Sequence, residues 1–61
     1  MANLTSKELT RIEDQLSLES VLIKKYQQLS SMTNDQVIKQ KCDSIASRHQ
    51  QHYNCLLGHL S

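Results

Sequence analysis

Sixty-one residues with one Gly and no Pro, Trp or Phe make at most one domain, and the lack of breakers excludes a turn-rich β fold. Seven Lys or Arg stand against six Asp or Glu, a formal net charge of +1 with no basic block beyond Lys24-Lys25, which excludes the basic stripe of a nucleic-acid binder. No apolar run approaches the roughly 18 residues of a membrane span. The opening M-A-N-L-T-S-K-E has no apolar core of a secretory signal peptide, so a cytoplasmic setting is expected.

The first element starts at Thr5-Ser6-Lys7-Glu8, which matches the capping box S/T-x-x-E. It predicts a helix over about 6–31. Leu9, Ile12, Leu16, Ile23 and Tyr26 follow at alternating three- and four-residue steps, and Glu19 fills the missing step. Leu18, Leu22 and Leu29 widen this seam on one side. The apolar arc then covers about half the cylinder, more than a single neighbour hides.

Residues 30–36, S-S-M-T-N-D-Q, interrupt the pattern. Thr33 with Gln36 forms a second capping-box pattern, or Asn34 is the cap, and Asp35 suits a first turn. A second helix is predicted over about 35–57, with Gly58 as its C′ residue. Its apolar positions are Ile38, Cys42, Ile45, Ala46, Tyr53, Leu56 and Leu60. His49 lies near the middle of that arc and His52 at its shoulder. Cys55 projects to the polar side. On one helix, Cys42 and Cys55 would be about 19 Å apart, too far for a disulfide, so both are expected as free thiols.

The short connection predicts an all-α antiparallel two-helix hairpin over residues 1–61. Chains of this size usually need a metal, a disulfide or a partner. Two copies packed through their arcs would form a homodimeric four-helix bundle. Leu9, Ile12, Leu16, Leu22, Ile23, Tyr26 and Leu29 of the first helix, with Ile38, Cys42, Ile45, Tyr53 and Leu56 of the second, are its expected core and dimer residues.

Three polar residues enter this seam. Folding the hairpin about residue 33 sets Glu19 near Ala46, one turn from His49 along the axis, with His52 one turn beyond. A core carboxylate is costly unless paired or coordinated. Imidazole plus carboxylate suits zinc, iron or manganese, which makes Glu19, His49 and His52 candidate ligands. The alternative is a polar layer that fixes register and dimer state. His52, Cys55 and His59 form a weaker constellation, because Cys55 and His59 lie outside the apolar arc. No serine-histidine-aspartate arrangement, cysteine-histidine nucleophile or glycine-rich phosphate loop is present, so no enzyme activity is expected.

The runs I-E-D-Q-L-S-L-E-S-V-L-I-K-K-Y, residues 12–26, and C-D-S-I-A-S-R-H-Q-Q-H-Y-N-C-L-L, residues 42–57, resemble the spore coat protein F family. These are small ferritin-like helical proteins of spore-forming Firmicutes. The likeness spans about residues 7–60, and its most specific pieces are the Glu19-x6-Tyr26 spacing and R-H-Q-Q-H at 48–52. It implies a ferritin-like half-bundle, a structural role in the spore coat and other coat proteins as partners. In the wider ferritin-like group, a Glu with a Tyr seven residues on and a Glu-x-x-His on the next helix build a di-iron centre. Glu19, Tyr26 and His52 match that pattern. His49 stands where the second glutamate belongs, and imidazole cannot supply its bridging carboxylate. The resemblance therefore implies a mononuclear zinc or iron site, or none.

Two main functions remain open from sequence. One is a coat-like structural or interaction protein; the other is a metal-binding protein. A third is a regulatory hairpin that docks on another helical protein through Leu18, Val21 and Met32.

Overall fold

The computed structural model describes residues 4–60. The first three residues and Ser61, included above in the 1–61 domain, lie outside them. Two helices, α1 (Ser6–Met32) and α2 (Gln36–Gly58), pack along each other as a hairpin. The result is a rod with principal extents of 46 × 15 × 11 Å.

The caps explain where the helices start. Thr5 is extended, and its hydroxyl accepts from the backbone N–H of Glu8 at 3.1 Å. The same hydroxyl donates to the Glu8 carboxylate at 3.1 Å. Glu8 thus reaches back to the Thr5 side chain, where a full capping box would use the Thr5 backbone N–H. At α2 the cap is Asp35, rather than Thr33 or Asn34. Its carboxylate accepts from the N–H groups of Val37 at 2.9 Å and Ile38 at 3.2 Å. Thr33 instead ends α1 in an extended conformation, its N–H donating to the Leu29 carbonyl at 3.1 Å. The Thr33 hydroxyl accepts from the Asp35 N–H at 3.1 Å, which positions Asp35 as the cap.

Gly58 also departs from expectation. It closes α2 inside the helix, and His59 caps it in right-handed conformation with φ −75°. No described residue has positive φ, so the left-handed C′ role is absent among them.

The core is slight. Ile23, Cys42 and Ala46 are the buried apolar residues. Ile12, Leu16, Leu22, Tyr26, Ile45, Tyr53 and Leu56 are half-buried, whereas Leu9, Leu29 and Ile38 are exposed on the single chain. Leu18, Val21 and Met32 are exposed as well. Among the described residues, no helix is long and apolar enough to cross a membrane.

Candidate metal centre

Glu19 sits on the inward line of α1, in the same helical phase as Ile12, Ile23 and Ser30. At 3% exposure it is among the most buried residues of the chain. Its two carboxylate oxygens face two histidines of α2. Oε1 lies 2.6 Å from His49 Nδ1, and Oε2 lies 3.4 Å from His52 Nδ1. His49 and His52 are three residues apart, so one helical turn presents both rings to the same carboxylate. Their rings meet edge to face, with centroids 5.5 Å apart. Gln15, one turn before Glu19, donates to Oε2 at 3.5 Å. The Tyr26 ring is stacked with His49, with centroids 6.5 Å apart and planes 13° from parallel.

Burial pushes the Glu19 carboxyl up. Hydrogen bonds from His49 and Gln15, with the positive charge His49 and His52 carry when protonated, more than offset that. Its pKa therefore lies below the ordinary 4.5. The carboxylate is held ionised, which is the form a metal ion requires.

The three side chains offer one carboxylate oxygen and two imidazole nitrogens, all within 4.8 Å of one another. Ligand atoms around a tetrahedral zinc ion are separated by about 3.3 Å, given bonds of about 2.0–2.2 Å. The His52 contact already has that spacing. The His49 contact must open by about 0.7 Å, and the widest ligand pair, up to 4.8 Å apart, must close by up to about 1.5 Å to hold a tetrahedral ion. Burial falls off from Glu19 to half-buried His49 to exposed His52. The triad is therefore covered at Glu19 and meets solvent at His52. The donor set fits a borderline divalent ion such as zinc or ferrous iron. It has no second carboxylate with which to bridge two ions.

All three residues named from sequence thus meet in one place. Glu19 touches His49 directly, and His52, one turn on, faces the same carboxylate. Cys55 and His59 take no part, and Cys55 is exposed.

A second polar cluster near the turn escaped the sequence reading. Ser30 is 4% exposed and donates its hydroxyl hydrogen to Asp43. Lys39 Nζ donates to the Ser30 carbonyl at 3.1 Å and to its hydroxyl at 3.2 Å. A signal was present. Ser30 continues the seam spacing four residues after Tyr26, and a serine in an apolar phase calls for a partner.

No protein family, no curated protein and no solved structure matches this chain.

Proposed function

We propose that this chain is a small metal-binding helical hairpin that holds a divalent ion between Glu19, His49 and His52. One observation carries the reading: a buried carboxylate turns both of its oxygens toward the Nδ1 atoms of two histidines on the neighbouring helix. Buried carboxylates are expensive, and three converging ligands of this chemistry fit zinc or ferrous iron. The likeness of residues 12–26 and 42–57 to ferritin-like coat proteins supports a setting. In it, the hairpin is a half-bundle that pairs into a four-helix bundle and works beside other proteins of the spore coat. The role is binding and structural, not enzymatic.

A second reading is favoured by a separate observation. Among the described residues, every buried side-chain nitrogen or oxygen already has a hydrogen-bond partner. The triad then serves as a polar layer that fixes helix register in a coat-like structural protein.

Native mass spectrometry separates the two. Protein purified without chelator or affinity tag is incubated with zinc and, separately, with ferrous iron. Stoichiometric bound metal, lost in His49→Ala, supports the first reading. Protein that stays metal-free under both conditions refutes it and leaves the polar layer.

A further inference from the structure

The triad opens onto one particular side of the hairpin. At about 100° per residue, Leu18, Leu22 and Leu29 fall on one flank of the inward line of α1. On α2, Ile38, Ile45, His52 and Leu56 fall on one flank of the line through Cys42 and Ala46. The other two flanks share a groove lined by Ser20, Lys24, Gln27 and Gln50, together with Ile23 and Tyr53. That side of the rod is polar through its middle, with Leu9 and Leu57 exposed on it toward the open end. The apolar flanks share the opposite side, and His52 emerges among them. Leu18 is 51%, Leu29 42% and Ile38 49% exposed there.

The area suggests what covers this side. The chain exposes 4771 Å². A compact monomer of 7.0 kDa would expose about 4,000 Å². The excess of about 700 Å² goes with the elongated rod, and it leaves room for the roughly 800 Å² that each partner buries in a standard protein interface. Position adds a second argument. Glu19 has thirteen residues of α1 on either side, so it stands at the middle of the rod. A two-fold axis along the helices leaves a residue level with its own copy. A two-fold axis crossing the rod at its middle does the same for Glu19. Either arrangement brings two triads to one height, face to face.

We propose that a second copy of this chain docks on the Leu18–Leu29–Ile38 side and that the two triads share one metal centre. This rests on the metal-binding reading. Two Glu19 carboxylates, each enclosed in its own hairpin behind His52, would face one another across an apolar interface, where like charges repel. One divalent cation cancels both charges. The position left open beside His52 is then filled by ligands of the second copy. Ion and second copy bind cooperatively, and metal occupancy controls assembly.

The test is sedimentation of the full chain with and without zinc, alongside zinc titration of wild type and a Leu18→Glu/Leu29→Glu variant. Both replaced residues are exposed on the single chain and neither belongs to its buried core of Ile23, Cys42 and Ala46. The expected result is a zinc-tightened wild-type dimer and a monomeric variant whose zinc affinity falls about tenfold or more. A dimer constant indifferent to zinc, or a monomeric variant that binds zinc as tightly as wild type, overturns the shared centre and leaves the single-chain site standing. Wild type that binds no zinc at all overturns the site and the shared centre together. If circular dichroism shows the variant unfolded, the zinc dependence of the wild-type dimer decides alone.

Discussion

Glu19 and Ser30 lie in the same buried stripe of α1, eleven residues apart, and each reaches across to α2. Their surroundings differ in kind. Around Ser30, the Lys39 ammonium and the Asp43 carboxylate balance each other, and the hydroxyl is held by both. Lys39 also satisfies a carbonyl near the end of α1, where a cation is favoured. That cluster is electrically complete. Around Glu19, the carboxylate faces two imidazoles rather than a Lys or Arg, on a side that opens toward solvent at His52. Its balance is conditional. A complete cluster fixes register; a conditional one can accept something. The location of a polar group in a helical core therefore says less about its role than whether its charges close among themselves.

The sharpest way to break this comparison is to neutralise one centre at a time. Glu19→Gln keeps the shape and removes the charge. Zinc affinity is expected to fall by about a hundredfold or more, since loss of a direct ligand exceeds the 10–100-fold cost of disturbing an outer one. Ser30→Ala should leave zinc binding unchanged in the same calorimetric titration. Equal losses would mean that both clusters act only through the fold. His52→Ala should weaken zinc less than His49→Ala, because His52 is the exposed ligand.

Acid sharpens the contrast next. The folded pKa of Glu19 lies below its unfolded value. Its contribution to stability is thus present above the unfolded value and lost as pH falls below 4.5 through the folded one. Metal-free thermal melts from neutral pH downward should show this acid limb. Glu19→Gln should flatten it, and an unchanged limb would assign it to other carboxylates.

Stability effects come third. Ser30→Ala removes the hydroxyl between Lys39 and Asp43 and should cost about 1–2 kcal/mol, read as a melting point several degrees lower. The smallest effect belongs to the open end of the rod. A Cβ at Gly58 meets nothing within 4 Å and the residue is helical. Gly58→Ala should therefore stabilise by about 0.5 kcal/mol, the low end for a helix glycine, without moving either cluster.

Much of the hairpin was legible in the sequence because its signals are local. The Thr5 cap, the breaker-free runs and the three-four spacing act within a few residues of chain. Choosing the second cap was harder, because Thr33, Asn34 and Asp35 are adjacent and all have capping chemistry. The Thr33 hydroxyl decides the matter by binding the Asp35 N–H, a contact that spacing does not reveal. What periodicity could not give was the contact itself. Side chains lean toward the N-terminus of their own helix, so in an antiparallel pair Glu19 and His49 reach toward each other and touch at 2.6 Å. The Ser30–Asp43–Lys39 cluster depends on the same cross-helix geometry, so periodicity could flag Ser30 but not name its partners.

The stacking of Tyr26 on His49 gives the molecule an optical reporter of its own. With no Trp and two Tyr in the chain, ultraviolet emission comes from Tyr26 and Tyr53 alone. One of those two phenols lies against a ring of the triad. A proton or an ion arriving at His49 changes the electronic surroundings of that phenol. Tyr53, opposite Ser20 and Lys24 on the polar side, serves as the internal reference. The intrinsic fluorescence of the unlabelled chain therefore reports the surroundings of its half-buried His49 imidazole.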